Sequence, residues 1–202
     1  MVQRLVAVGA DIHARDKDNI TPIYLAGRRR NAVIASILLS AEPDLRTFCR
    51  KDAGVLHAAA FLGDYPLFLR IIRDTIFDEE ELCDSYPPQI FPRGNRRLLD
   101  FSRTFQSGIT ILHAAAFGGN TSIIQRVVEF GTDVNVKNME KVTPLHVAAF
   151  ANEPLAIAKL VASGASINYI DFFGRSAFSI AKAMGNEEAV NWLHSRGNRR
   201  GT

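Results

Sequence analysis

Apolar residues recur along this chain at the spacing of an amphipathic helix, in five similar stretches. Within each stretch they are one, three or four residues apart, which places them on one helical face. The sequence therefore predicts five helices, each with one buried stripe. The stripes are formed by Ile34, Leu38 and Leu39, by Leu67, Phe68, Ile71 and Ile72, by Ile123, Ile124, Val127 and Val128, by Ile157, Leu160 and Val161, and by Val190 and Leu193.

A short motif precedes each stripe. Its clearest copies are TPLHVAA at residues 143–149 and TILHAAA at residues 110–116, and related segments begin at Thr21, Gly54 and Ser176. The intervals between the five starts are 33, 56, 33 and 33 residues, so the longest equals one period plus 23 residues. Because one such unit cannot bury its own stripe, the repetition predicts a solenoid of stacked units.

These residues resemble ankyrin repeats, whose unit is a β-turn followed by two antiparallel helices. The resemblance implies an all-α solenoid with about four full repeats, a half repeat at the start and a capping repeat at the end. We expect residues 1–202 to form a single domain. Residues 76–98 are predicted to be an extended loop inserted in it, either a partner-specific contact or a tolerated insertion.

Composition narrows the class of protein. With 47% hydrophobic and 22% charged residues the chain is not predicted to be disordered. No apolar run approaches the roughly 20 residues of a membrane helix, and the first residues turn polar too soon for a secretory signal. The net charge is only +3 and the basic residues are spread out, so we expect no nucleic-acid partner. We expect a monomer in the cytosol or nucleus.

Candidate chemistry centres on three histidines. His57, His113 and His146 occupy the same place in their repeats. The resemblance implies a structural role, in which the ring nitrogens bridge backbone groups of neighbouring turns. The sequence contains no Gly-rich phosphate loop, nucleophile elbow or HExxH motif. It therefore predicts no enzyme activity, no cofactor and no metal site.

The resemblance also implies a concave binding groove, formed by the hairpin tips and by the two residues that follow the Ala-Ala of each first helix. Phe recurs there in three successive units, and its alternative role is packing between repeats. Aromatic residues flanked by Arg are typical of the centre of an interface. The predicted partner-binding residues are Arg28, Arg29, Phe61, Leu62, Phe117, Met139, Glu140, Phe150, Phe172, Phe173 and Arg175.

The predicted function is to bind a partner protein through the concave face, as an adaptor, scaffold or inhibitor. The alternative is a regulatory or targeting segment of a larger multidomain enzyme or channel, which the absence of a first helix from the first repeat favours. A third possibility is modification by an asparagine hydroxylase at Asn135 and Asn168, because ankyrin arrays often offer an Asn at this hairpin position.

Overall fold

A computed structural model describes residues 1–17, 20–41, 54–76 and 108–197, which form helices and turns without a strand. In this part of the chain, no helix has the length and apolar character needed to cross a membrane. Beyond Ile76, the predicted loop at 76–98 lies outside the described residues. The helices are α1 (Val2–Ala7), α2 (Pro22–Arg28), α3 (Ala32–Ala41), α4 (Gly54–Leu62), α5 (Tyr65–Ile76), α6 (Ile111–Gly118), α7 (Thr121–Glu129), α8 (Pro144–Phe150), α9 (Pro154–Ala162), α10 (Ala177–Met184) and α11 (Glu187–Gly197).

From α2 onward the helices pair into units, each with a first and a second helix. We call the pairs α2/α3, α4/α5, α6/α7, α8/α9 and α10/α11 units 1 to 5. The first helices pack on one another in the order α2, α4, α6, α8, α10, and the second helix α9 packs between α7 and α11. Helices α4 and α6 are direct neighbours although residues 77–107 separate them in sequence. The predicted all-α fold is confirmed.

Small side chains let the first helices approach closely. Ala115, Ala148 and Ala181 are completely buried between units. At Gly27 the approach is closer still, because a Cβ there would lie 2.3 Å from the Cα of Ala58. The predicted stripes of the second helices fill the space behind this layer, and their central residues are buried in every unit. These residues are Leu38, Phe68, Ile71, Ile123, Ile124, Val127, Ile157, Leu160 and Leu193.

Buried histidines of the first helices cap their own helix and bind the next unit. The backbone N–H of Thr110 donates to His113 Nδ1 over 3.2 Å, and the Thr110 hydroxyl lies 2.8 Å from the same nitrogen. Across the ring, Nε2 donates to the Val142 carbonyl oxygen over 3.0 Å. His146 repeats the arrangement and donates to the Arg175 carbonyl oxygen over 3.1 Å. The predicted structural role of these two histidines is confirmed.

These hydrogen bonds require the neutral form of the imidazole. A backbone N–H can only donate, so Nδ1 of His113 is unprotonated and the proton lies on Nε2. Burial lowers the pKa of His113 to about 4. It also lowers the pKa of His146 below its usual value. Both rings are therefore uncharged at neutral pH.

We expect the fold to lose stability as the pH falls from 6.5 to about 4. In this window the unfolded chain binds a proton that folded His113 excludes, so the free energy of unfolding decreases, by up to about 3 kcal/mol. Above this window the contribution is fully present. Urea unfolding followed by circular dichroism across this range measures the slope. His113→Gln should make the slope shallower. An identical slope for His113→Gln and the wild type would contradict this assignment.

A second link between units lies where each second helix begins. Asn120 Oδ1 accepts two backbone N–H groups of its own helix, while Nδ2 donates to the Gly63 carbonyl oxygen over 2.7 Å. Asn186 Nδ2 likewise donates to the Phe150 carbonyl oxygen over 2.8 Å. An amide at this position therefore binds the preceding unit. The equivalent residues in the five units are Asn31, Asp64, Asn120, Glu153 and Asn186.

In unit 4 this position is Glu153. Its carboxylate has no N–H group, so it cannot donate a hydrogen bond to a backbone carbonyl of the preceding unit. Arg30 supplies the donor, because its guanidinium binds the Phe117 carbonyl oxygen and also Glu153 Oε1, the latter over 2.7 Å. The Arg30 Cζ lies 5.1 Å from the centroid of the Phe117 ring. Gly119 leaves room for the carboxylate, since a Cβ there would lie 2.2 Å from Glu153 Oε2. Arg30 of unit 1 is thereby bound to units 3 and 4.

A double-mutant cycle on Arg30 and Glu153 tests whether the Arg30 guanidinium takes the place of an Asn side-chain amide as the donor to the Phe117 carbonyl group. Arg30→Met keeps most of the aliphatic stem and should lower the free energy of unfolding by about 0.5–1.5 kcal/mol. In a Glu153→Asn background the new amide can bind the Phe117 carbonyl, so Arg30→Met should cost much less there. Urea unfolding gives all four values, with Arg29→Met as the matched control. If Arg30→Met lowered the free energy of unfolding equally in both backgrounds, Arg30 would not be replacing the amide donor that Glu153 lacks.

Candidate functional site

The hairpin tips of units 4 and 5, residues 136–142 and 169–175, are each fixed by one buried side chain. In unit 4, Asn138 Oδ1 accepts the backbone N–H groups of Glu140 and Val142 over 2.9 and 2.8 Å. In unit 5, Asp171 Oδ1 accepts two N–H groups of its own tip in the same way, over 2.9 and 2.8 Å. The two tips therefore share one pattern of backbone hydrogen bonds.

Asp171 carries a charge that the equivalent Asn138 lacks. Its side chain is fully buried, and Arg175 donates from Nε and Nη2 to Oδ2 over 2.8 Å each. Burial by itself raises the pKa of Asp171, but the hydrogen bonds from Arg175 and from the Phe173 N–H outweigh it and hold the pKa below its usual value. The Arg175 Cζ lies 4.9 Å from the centroid of the Phe173 ring. The ion pair thus positions a cation against an exposed ring.

Hydrogen bonds also attach the tips to the stack and to each other. The carbonyl groups that end the two tips are the acceptors for His113 and His146, which belong to the first helices of the preceding units. The Phe172 N–H donates to the Glu140 carbonyl oxygen over 2.8 Å, which joins one tip to the other. The position of each tip is therefore set by the helices beneath it and by its neighbour.

Large apolar side chains project from these tips into solvent. Met139 is 79% exposed, Phe172 70% and Phe173 66%. The two Phe rings meet edge to face with their centroids 6.2 Å apart. The Lys141 Nζ lies 5.8 Å from the centroid of the Phe172 ring. We call Met139, Lys141, Phe172, Phe173 and Arg175 the tip patch.

The residues predicted at the ends of the first helices differ in how far they reach solvent. Arg28 and Arg29 are exposed. Leu62 and Phe117 are half-buried, and Phe150 is 49% exposed. This surface is therefore less aromatic than predicted, and its exposed ring is Phe150.

The prediction that Phe61 contacts a partner needs correction, because its side chain is only 6% exposed. Tyr24 and Phe117 lie edge to face against it, with centroids 5.6 and 5.7 Å away. Rings on both sides thus cover Phe61. Phe150 stays accessible because the next unit has Ala183 at the equivalent position.

The two asparagines predicted as modification sites have different surroundings. Asn135 Nδ2 donates to the Gly164 carbonyl oxygen over 3.3 Å, and its Oδ1 accepts the Ser166 N–H over 2.8 Å. This amide joins the hairpin of unit 4 to that of unit 5. Asn168 is exposed. Hydroxylation of either residue stays a prediction.

Three side chains that shape this region were missed by sequence reasoning. Lys137 lies beside the tip patch, with Nζ 4.0 Å from the centroid of the Tyr169 ring. Arg30 binds Glu153 beside the Phe117 carbonyl group, near the end of the first helix α6. One signal was available, because Glu153 interrupts a series of Asn and Asp residues before the second helices. No local pattern could place Arg30, whose partners are far away in sequence.

Two overlapping segments of the sequence, residues 93–171 and 112–200, match the family model described as ankyrin repeats (3 copies). Together the matches run from residue 93 to residue 200, more than half of the chain, and the protein belongs to the ankyrin-repeat family. No curated protein matches it. Ankyrin repeats are generally protein–protein interaction modules, and the family is typically non-catalytic. Within the described residues, no three His, Cys, Asp or Glu side chains are grouped so that they could hold a metal ion.

Two substitutions at Asp171 separate its two roles. Asp171→Asn keeps an acceptor for the tip, as Asn138 does, and should cost about 1 kcal/mol of stability through loss of the ion pair. Asp171→Ala leaves the tip N–H groups without that acceptor and should cost about 2–3 kcal/mol. Urea unfolding and the hydrogen exchange of residues 169–176 measure both effects. Equal losses for the two variants would contradict the proposed division of roles.

A comparison of the wild type with Asp171→Asn at different pH values shows how much the charge of Asp171 contributes to stability. The pKa of Asp171 is lower in the folded chain than its ordinary value of 3.8. Its charge therefore stabilises the fold above that value and the benefit is lost as the pH falls below it, through the folded pKa. We expect the stability difference between the wild type and Asp171→Asn to shrink in that acid range. A difference that is independent of pH would exclude the ion pair as its source.

Proposed function

We propose that this chain is a non-catalytic protein–protein interaction module, an adaptor, scaffold or inhibitor, that binds a partner protein through its concave face. The tip patch forms the anchor of the contact. The observation that carries the proposal is the exposure of Phe172 and Phe173 on a turn whose backbone is fixed. Large side chains of this kind contribute most of the binding energy in protein interfaces when a partner buries them.

The fixed geometry of the unit 5 tip favours binding, because little conformational entropy is lost when a partner binds to it. Asp171 holds the unit 5 tip from within, and His146 holds it from the preceding helix. Arg175 is bound through Nε and Nη2 to the carboxylate of Asp171, so its side chain is restrained before a partner arrives. Association therefore restricts fewer side-chain and backbone conformations than it would in a mobile loop.

The remaining predicted residues extend the proposed contact along the stack. Phe150 adds an exposed ring, and Arg28 and Arg29 add charge at the far end. Glu140 lies on the tip next to the patch and is exposed. Phe61 has a supporting role only, because it packs beneath Phe117. The proposal includes a monomeric chain in the cytosol or nucleus that does no chemistry of its own.

Affinity capture of partners by the full chain tests the proposal. Phe172→Ala/Phe173→Ala should weaken retention of a specific partner by at least about 30-fold, since each ring is expected to contribute like an interface hot spot. Capture from cell lysate with quantitative mass spectrometry measures the retention. The matched control is Val33→Ala/Leu155→Ala, which removes two exposed apolar side chains, 69% and 72% exposed, from second helices.

Both double variants must show the circular dichroism of the wild type. A set of retained proteins that is unchanged by Phe172→Ala/Phe173→Ala, or reduced equally by the control, would be incompatible with the tip patch as the anchor.

A further inference from the structure

Cations lie over the aromatic rings at the tips of units 4 and 5. Lys141 lies over Phe172 and Arg175 over Phe173, within the tip patch. Lys137 lies over Tyr169 next to it. A cation held against a ring places positive charge and apolar surface side by side. A ligand that uses the whole surface must therefore present apolar and anionic groups side by side as well.

The charges of the two tips are not balanced. Their charged residues are Lys137, Glu140, Lys141, Asp171 and Arg175. Asp171 and Arg175 neutralise each other in an ion pair, in which Arg175 Nη2 lies 2.8 Å from Asp171 Oδ2. Lys137 and Lys141 are exposed and, among the described residues, neither forms an ion pair with Glu140, although Glu140 precedes Lys141 directly. Two ammonium groups are thus held on rings and are available to carboxylates from outside.

We infer that the tip patch recognises an acidic segment of the partner protein, in which a large apolar side chain is flanked by Asp or Glu. The apolar side chain packs on Phe172 and Phe173, and the carboxylates bind Lys141 and Lys137. This inference rests on the proposed function, since it names the kind of partner that the same surface binds. Glu140 disfavours an acidic residue directly opposite it, which limits where the carboxylates can lie.

Aromatic rings with nearby lysines also occur in surfaces that bind single-stranded nucleic acid. Here the geometry is unfavourable for that ligand. Phe172 and Phe173 are inclined at 75° to each other, so they do not form a platform on which successive bases can stack. The exposed carboxylate of Glu140 lies on the same tip. A nucleic-acid strand carries a phosphate at every nucleotide, so it has less freedom than a peptide to keep its negative charges away from this carboxylate. The arrangement favours a peptide.

Selection from a phage library of random short peptides on the immobilised full chain tests the inference. The selected peptides should be enriched in Asp and Glu next to aromatic or large aliphatic residues. Selection in parallel on Phe172→Ala/Phe173→Ala shows which peptides use the tip patch. The peptide with the strongest enrichment is then synthesised, and its affinity is measured by fluorescence anisotropy at low and high salt.

Lysine variants test the role of the carboxylates. Lys137→Gln/Lys141→Gln should weaken binding of the selected peptide by about tenfold, and the affinity should fall with salt. Lys182→Gln, which removes an exposed charge at the end of the stack, is the matched control and should not change the affinity. The three positions are exposed, and unchanged circular dichroism confirms that each variant is folded.

The possible outcomes separate this inference from the proposed function. Neutral or basic peptides that depend on Phe172 and Phe173 would overturn the inference and leave the proposed function standing. Peptides that bind Phe172→Ala/Phe173→Ala equally well, or a library that yields none, would overturn both for this surface. Random-sequence single-stranded RNA that binds more tightly than the peptide, and loses affinity in the lysine variant, would replace the peptide by nucleic acid.

Discussion

Buried imidazoles that remain uncharged hold this stack together. His113 and His146 each accept hydrogen bonds from the cap of their own helix and donate one to the hairpin of the next unit. One ring thereby satisfies buried polar groups of two units, which the apolar stripes cannot do. Because units of a solenoid contact only their neighbours, such interface bonds decide how far order extends along the chain. They also set the position of the exposed tips.

The series of links ends differently at its two ends. In unit 5 the positions of Thr and His are taken by Ser176 and Ser179, and the Ser179 hydroxyl donates to the Ser176 carbonyl of its own unit over 2.9 Å. The hydroxyl that replaces the histidine ring therefore makes its hydrogen bond within unit 5 and not to the hairpin of another unit. Towards the start, Arg30 bypasses unit 2 and binds units 3 and 4 directly. A contact that skips a neighbour departs from strict nearest-neighbour packing and couples the first unit to the centre of the stack.

The sequence was sufficient for features that depend on one unit or on its repetition. The stripes around Phe68 and Ile123 and the role of His113 follow from spacing and from the resemblance. The burial of Phe61 did not follow, because it depends on rings from two other units that meet it edge to face. The bond between Arg30 and Glu153 joins residues more than a hundred positions apart, and no local pattern encodes it. The cations over the tip rings depend on rotamers that composition does not specify.

At the solvent-facing positions of the tips, the supporting hydrogen bonds use backbone atoms, and the side chains that complete these bonds belong to the buried residues Asn138 and Asp171 and to the helix residues His113 and His146. The groups bound by His113 and His146 are backbone carbonyls, and the bond between the two tips joins the N–H of Phe172 to the carbonyl of Glu140. The side chains of Met139, Glu140 and Phe172 are absent from this set of supporting bonds. Mutation can therefore alter what these positions recognise while the supporting architecture persists. The protein separates the evolution of its specificity from the maintenance of its fold.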